Sequence, residues 1–121
     1  MPPRKSDASY LWDMLSAARE VSSFVNGKTW EEYETRVGLR RQVERSVEIV
    51  GEAARHVSKQ FQEAHPEIPW PKIIGQRHRL AHEYDLIRDS AIWRVATVYV
   101  PELIRALEPL IPPLPPDPEA P

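Results

Sequence analysis

The segment IIGQRHRLAHEY, residues 73–84, concentrates side chains that can transfer protons and bind phosphate. It holds Arg77, His78, His82 and Tyr84 within eight residues, beside apolar positions that suit a helix. An imidazole exchanges protons near neutral pH, and an arginine offers a planar, permanently charged fork to phosphate oxygens. This combination suits a reactive site that transfers protons or binds phosphate.

A zinc site is an alternative use of the same segment. His78 and His82 are four residues apart, so on a helix they share one face and can both bind a metal ion. The residues between them do not form the HExxH arrangement, and the chain has no cysteine. A third ligand would have to come from His56 or Glu52, and the flanking arginines would repel a divalent cation. We therefore expect no metal ion and no other cofactor.

A purely structural role is the second alternative, in which these side chains hydrogen-bond between helices and serve only the fold. Burying so many polar groups for stability alone is unfavourable, because each unpaired group costs about 1–3 kcal/mol. Four of them within eight residues therefore favour a functional role.

The charge distribution requires any phosphate site to be local. The chain has 16 basic and 18 acidic residues among 121, a formal net charge of −2, which is unlike a general nucleic-acid coating protein. The candidate phosphate-binding residues lie in two basic clusters, with Arg40 and Arg41 in one and Lys72 and Arg79 in the other. A solvated helix face is the simpler explanation of either cluster taken alone.

Targeting and membrane signals are missing from the sequence. The start, MPPRKSDASY, lacks the apolar core of a signal peptide, and AIWRVATVYV is too short for a transmembrane helix. The lack of cysteine fits a reducing compartment. We expect a soluble cytoplasmic protein with no membrane partner.

The apolar spacing predicts an all-α bundle of four main helices plus a short one. The expected helices run from a Ser6 or Asp7 cap to about Asn26, around 30–33 after a Thr29–Glu32 capping box, from about 37 to 64, from Pro71 to about Tyr84, and from an Asp89 or Ser90 cap to Leu107 with a kink at Pro101. The proline-rich run from Pro109 should be extended. We expect a helical domain over residues 1–111 and a tail over 112–121.

Beyond these patterns, the chain resembles the HEPN-domain proteins, in particular the HepT-like toxins. Arg77, His82 and Tyr84 reproduce their RX4HXY signature. The runs VEIVGEAAR, HPEIPWPKIIGQRHRLAHEYD and IWRVATVYVPELIRAL also look like that family and occur in the same order, over about residues 8–110. Two positions depart from it: His78 stands where Asn is frequent, and Glu83 where Gly is common.

The resemblance implies a HEPN-type bundle with metal-independent ribonuclease activity, acting as the toxin of a toxin–antitoxin pair. In this interpretation Arg77 stabilises the phosphorane, His82 transfers protons, and His78 orients the site or carries a second proton. Tyr84 would accept AMP from a minimal nucleotidyltransferase antitoxin. Lys72, Arg79, Arg40 and Arg41 would bind phosphates of RNA, and no DNA partner is expected.

The spacing of the two catalytic candidates indicates how such a site is assembled. On one helix Arg77 and His82 point about 140° apart, because each residue turns the chain by roughly 100°. Family members resolve this by dimerising, so we expect a homodimer with the two motifs in a shared cleft. The alternative is a non-catalytic helical module in which the same residues bind a nucleotide or a protein.

Overall fold

The computed structural model describes residues 6–83 and 87–111, which form helices and connecting turns without a strand. The helices are α1 (Asp7–Val25), α2 (Trp30–Thr35), α3 (Val37–His56), α4 (Lys59–Ala64), α5 (Trp70–His82), α6 (Asp89–Arg94) and α7 (Val100–Leu107); a π-helical turn (Val95–Tyr99) joins the last two and a 3₁₀ turn (Glu108–Leu110) follows. Helix α1 packs along α3, which carries α5 on another side, while α7 packs on α1. The predicted all-α bundle with four main helical segments is confirmed.

Several helix ends form as the sequence predicts. The Ser6 hydroxyl accepts a hydrogen bond from the Ser9 N–H at 3.2 Å and caps α1. Thr29 and Glu32 form the expected capping box, since each side chain accepts the other residue's backbone N–H. Gly27 follows α1 with φ of 73°, a conformation that L side chains adopt at a steric cost. Local side-chain chemistry therefore sets these ends.

The prediction of a single long helix from about residue 37 to 64 is wrong, because α3 ends at His56 and α4 starts at Lys59. Ser58 opens α4 by accepting the Phe61 N–H at 3.1 Å. The carboxylate of Asp7, at the start of α1, accepts the Ser58 N–H at 2.9 Å and its hydroxyl at 2.6 Å. A cap at Ser58 and a bond from a distant helix thus break an apolar pattern that looked continuous.

The later helix ends also differ from the expectation. Helix α5 stops at His82 rather than near Tyr84, which lies outside the described residues. Neither Asp89 nor Ser90 caps α6, whose N-cap is Arg88 without a side-chain hydrogen bond. The predicted last helix, with its kink at Pro101, is instead divided into α6 and α7 just before that proline. The division is a π turn in which the Val100 N–H donates to the Val95 carbonyl.

The chain beyond α7 stays folded longer than predicted. Glu108–Leu110 forms a 3₁₀ turn through Pro109 where an extended chain was expected, and Leu110 and Ile111 pack against the core, with Ile111 itself in an extended conformation. The predicted tail, residues 112–121, lies outside the described residues. Among the helices that are described, none has the length and apolar character needed to cross a membrane.

Gly51 sets the distance between α3 and α5. A Cβ atom at this position would lie 2.2 Å from the Cβ of Arg77 and 2.9 Å from the carbonyl oxygen of Ile73. Both distances are far inside van der Waals contact, so this close approach of the two helices requires a residue without a side chain. Gly51 therefore fixes where the backbone of Arg77 lies relative to α3.

We predict that Gly51→Ala destabilises the fold by about 1–3 kcal/mol, the usual cost of overpacking a well-packed contact. The added methyl group meets backbone and a Cβ atom, neither of which can swing away, so α5 must move off α3. Chemical denaturation of the purified variant measures the change in the free energy of unfolding.

Gly75→Ala is the matched control, since a Cβ there has no atom within 4 Å and Gly75 also lies inside a helix. It should be neutral or add up to about 1 kcal/mol through helix propensity. Equal effects of the two substitutions would contradict the packing role assigned to Gly51.

Candidate active site

The start of α5 is anchored firmly to the preceding loop. Trp70 is buried at the first turn of α5, and its indole N–H donates to the carbonyl oxygen of His65 at 2.9 Å. Pro71 follows in the first turn, where a missing N–H leaves no helical bond unmade. The buried Ile68 holds the loop itself. Helix α5 is thereby fixed at one end before it delivers the motif residues.

Arg77 points from α5 toward α3 and pairs with Glu52. Its Nε lies 3.0 Å from Oε2 of Glu52, and its side chain is 25% exposed. The Nε itself is buried, but its N–H is not aligned with a hydrogen-bond acceptor among the described residues. The contact is therefore an ion pair rather than a directed hydrogen bond, and it holds the arginine at the boundary between core and solvent.

Glu52 is itself held by two neighbours on α3. Arg55 donates to both carboxylate oxygens, at 2.9 Å from Nη2 and 3.3 Å from Nε, and His56 Nε2 lies 3.1 Å from Oε1. The hydrogen bonds from Arg55, followed by that from His56 and the charges of Arg55 and Arg77, lower the pKa of Glu52 to about 2 despite its partial burial. The carboxylate facing Arg77 is therefore ionised throughout the neutral range.

The same cluster reaches the first helix. The His56 ring stacks on the ring of Tyr10 with centroids 5.1 Å apart and planes within 18°. Tyr10 belongs to α1, so contacts through His56 and Glu52 link all three helices around Arg77. The position of Arg77 thus depends on α1, α3 and α5 together.

A cavity of about 690 Å³ opens beside Arg77, mainly between α1 and α3. Its wall carries charges of both signs: Arg77 and Arg45 face it together with carboxylates that include Asp13, Glu20 and Glu48. The Arg77 guanidinium is the contribution of α5 to this cavity. A phosphate oxygen reaching Arg77 would pass close to several acids, which favours binding at the rim over deep entry.

The motif residue His82 and its neighbour His78 lie on a different side of α5 from Arg77. His78 and His82 are both exposed, and their rings are 4.8 Å apart between centroids and tilted by 51°. Helix α5 ends at His82, where the Glu83 N–H bonds the Arg79 carbonyl at 2.8 Å. The described lining of the Arg77 cavity does not include His82. One protomer therefore brings His78 and His82 together, but not His82 and Arg77.

The predicted RNA-binding residues fall into two groups. Lys72 and Arg79 are exposed on α5, as a surface phosphate site requires. Arg40 is largely engaged: it lies 3.5 Å from the Asp89 carboxylate and donates to the carbonyls of Tyr33 and Glu34. It ties α2, α3 and α6 together, so its assignment to RNA competes with a structural role.

Arg41 is also paired, with Nη1 3.1 Å from Oε1 of Glu44, although half of its side chain is exposed. The pKa of Glu44 is raised, mainly by burial, and the charge and hydrogen bond of Arg41 oppose that rise. Tyr84, the predicted AMP acceptor, lies outside the described residues. In the described part of the chain, no group of three or more metal-binding side chains comes together.

Sequence reasoning did not identify the residues that hold Arg77. Glu52 was considered only as a possible third metal ligand, and the roles of Gly51 and Tyr10 were not anticipated. The run VEIVGEAAR contains both Gly51 and Glu52, so the signal was present as a shared family segment. Its meaning depends on which helix packs against it, and spacing within α3 cannot give that.

Comparison with known proteins identifies the family of this chain. A family model for "Ribonuclease HepT-like" proteins matches residues 14–110. The chain belongs to the HepT-like ribonuclease family.

Individual relatives agree with this assignment. A "Putative RNase" of Methanocaldococcus jannaschii is 31% identical over 100 residues, covering 83% of this chain and 92% of its own length. A "Putative RNase" of Caldanaerobacter subterraneus subsp. tengcongensis is 32% identical over 107 residues, covering 88% and 96%. The "Probable ribonuclease HepT" of Thermococcus cleftensis is 28% identical over 100 residues, covering 83% and 91%. No solved structure gives a significant match.

Proposed function

We propose that this protein is a metal-independent ribonuclease that cleaves RNA with Arg77 and His82, and that it acts as the toxin of a toxin–antitoxin pair in the cytoplasm. Membership of the HepT-like ribonuclease family supports RNA as the substrate. The single observation that carries the assignment of the site is the fixed, partly exposed Arg77, paired with an ionised Glu52 and backed by Gly51.

The chemistry follows from the residue types. Cleavage of RNA by its own 2′-hydroxyl needs a proton acceptor for that hydroxyl and a proton donor for the leaving oxygen. An imidazole fills such roles near neutral pH, and His82 is exposed at the end of α5, where a substrate can reach it. His78 lies beside it and can orient it or carry the second proton. Arg77 stabilises the negative charge that develops on the phosphorane.

Phosphate contacts away from the scissile bond come from exposed cations of α5 and from Arg41 of α3. Lys72 and Arg79 are placed to bind neighbouring phosphates, and Arg41 contributes with the exposed part of its side chain. Arg40 has less freedom, since it is largely engaged with Asp89. Such contacts position the RNA without reading its sequence. Selection of RNA over DNA then rests on the 2′-hydroxyl, which DNA lacks.

A homodimer completes the site in this proposal. Within one protomer, Arg77 faces α3 while the two histidines project from another side of α5, so a single chain divides the catalytic groups. A two-fold axis near the end of α5 brings the histidines of one copy toward the arginine of the other. The interface is isologous, with the same face of each copy in contact.

Regulation in the proposal acts on Tyr84. Tyr84 is two positions after His82 in the chain, and the proposal is that a group attached to it blocks the cleft. A minimal nucleotidyltransferase antitoxin would transfer AMP to its hydroxyl. The added phosphate pairs with Arg77 and repels the RNA backbone, which silences the toxin without a change of fold.

We predict that Arg77→Ala and His82→Ala each lower the cleavage rate of purified protein by at least about 100-fold, the usual loss of a charge-stabilising or acid–base group. Arg77 is partly exposed and His82 is exposed, so circular dichroism should be unchanged. Growth inhibition on induced expression should disappear in parallel. EDTA should leave the wild-type rate unaltered.

His65→Ala and Arg105→Ala are the matched controls, because they remove an imidazole and a guanidinium outside the motif. Both should cleave like wild type. A folded Arg77→Ala or His82→Ala variant with full activity would refute the assignment, and activity lost with EDTA and restored by zinc would favour metal catalysis. A wild type that binds RNA or nucleotide but never cleaves it would favour the non-catalytic module.

We predict that light scattering at micromolar concentration gives twice the 14.0 kDa mass of the chain. Truncation after Ile111 should keep both the dimer and the fold, because the last residue that packs on the core is Ile111 within the described part of the chain. A monomeric mass for an actively cleaving enzyme would argue against the shared cleft.

We predict that co-expression with its cognate nucleotidyltransferase adds AMP units to Tyr84 and abolishes toxicity, while Tyr84→Phe stays toxic beside the same partner. Intact-mass spectrometry with peptide mapping locates the modification. Tyr99→Phe is the control, since Tyr99 is a tyrosine outside the motif whose side chain is 49% exposed. Full neutralisation of Tyr84→Phe would show that the partner inhibits by binding alone.

A further inference from the structure

Glu52 meets Arg77 in a way that separates it from the other acids around the cavity. Among the described residues, Glu52 is the carboxylate paired with the Arg77 guanidinium, at 3.0 Å from Nε. Glu48, one turn earlier on α3 and on the same cavity wall, instead lies 3.7 Å from Nη1 of Arg45. The two glutamates therefore share a helix and a cavity but have different cationic partners.

The position of the Glu52 carboxylate is fixed by residues other than Arg77. Arg55 holds both oxygens from the same helix, and His56 holds Oε1 while stacking on Tyr10. Gly51, the preceding residue, brings the backbone of Arg77 against α3. The Glu52 carboxylate is fixed on α3, and the Cβ atom of Arg77 is fixed against the same helix. The Arg77 side chain is therefore held at both ends and has little conformational freedom.

The side of the guanidinium that Glu52 occupies also matters. The carboxylate approaches Nε, the guanidinium nitrogen nearest the backbone, and the guanidinium carries two further nitrogens with N–H donors beyond that contact. Those nitrogens are the part of the fork best placed to meet phosphate oxygens beyond the rim of the cavity. An arginine held in this way is ordered and still presents donors to a substrate.

We propose that Glu52 is a positioning residue for Arg77, which fixes the guanidinium so that its terminal nitrogens meet the phosphorane; this rests on the cleavage reaction proposed above. Glu52 does not touch the reacting atoms and transfers no proton. It acts through Arg77, with Arg55 and His56 holding it in place.

The effect on kinetics follows from this role. An arginine that must search for its position stabilises the transition state less, whereas the bound RNA keeps its other phosphate contacts. Glu52→Gln should therefore lower kcat by about 10–100-fold, in line with the cost of misplacing a catalytic group by about 1 Å. KM should change by less than about threefold, because loss of a contact made in the transition state leaves ground-state binding largely intact.

The experiment compares Glu52→Gln with Glu48→Gln, each purified and checked for fold by circular dichroism. Glu48→Gln should keep the wild-type kcat, and Glu52→Asp, which keeps the charge but is one methylene shorter, should recover part of the loss. The double variant Glu52→Gln/Arg77→Ala should be no slower than Arg77→Ala alone, because the two residues act as one unit. Multiplying losses in the double variant, or equal losses from Glu48→Gln and Glu52→Gln, would overturn the proposal.

A second measurement does not depend on activity. The NMR signal of the Arg77 Nε–H, assigned by its loss in Arg77→Lys, should be sharp and separate from those of exposed arginines. In Glu52→Gln it should move toward them and broaden, while Glu48→Gln leaves it in place. An unmoved Arg77 signal in Glu52→Gln would overturn the positioning role. A wild type that cleaves no RNA would refute the proposed function, and the NMR comparison would still decide whether Glu52 orders Arg77.

Discussion

The contact between α3 and α5 at Gly51 is the constraint on which the rest of the site depends. A single missing Cβ allows two backbones to approach closely enough for the Arg77 stem to rest on α3. The next residue along α3 then supplies the carboxylate that meets the guanidinium. Gly51 provides the steric fit and Glu52, the next residue, provides the opposite charge. One turn of α3 therefore both positions Arg77 and neutralises it. The contribution of Arg77 to the cavity wall follows from that packing.

This arrangement explains how a partly buried cation is tolerated. An arginine near a core needs an opposite charge, and a carboxylate placed there must itself be stabilised. The cluster solves both needs with residues from α3, because Arg55 and His56 supply more donors than Arg77 alone and the carboxylate stays ionised. The cluster remains half exposed, which limits its contribution to stability through solvent screening. Its value is in geometry more than in energy.

Most of the fold could be predicted because helix faces and caps are encoded locally. The Thr29–Glu32 box and the Ser6 cap need residues only a turn apart, and both form. The break after His56 was missed because it depends on Asp7, which lies 51 positions before Ser58 in the chain. Neither period nor propensity carries information across such a separation. The same limit applies to Pro109, whose turn is stabilised by core contacts that the proline pattern does not reveal.

The candidate site shows the same division. The motif letters pointed to Arg77 and His82, and the rotation per residue already indicated that they diverge. The sequence could not show that Glu52, 25 positions before Arg77 on another helix, would be its counter-ion. It also made Arg40 look like a free surface cation, because Asp89 approaches it only after α6 folds back onto α3. Residue types predicted the chemistry, but the pairing of charges needed the tertiary structure.

The π turn between α6 and α7 has a consequence for how this chain can change over evolutionary time. A π turn is equivalent to one extra residue in an α-helix, and it shifts the phase of everything that follows by about 100°. Helix α7 buries Val100, Leu103 and Leu107 only in that shifted phase. Deleting one residue between 95 and 99 would restore regular hydrogen bonding and turn this apolar stripe away from α1. The π turn therefore sets the rotational phase of the last helix. Insertions and deletions within it should be far rarer than substitutions.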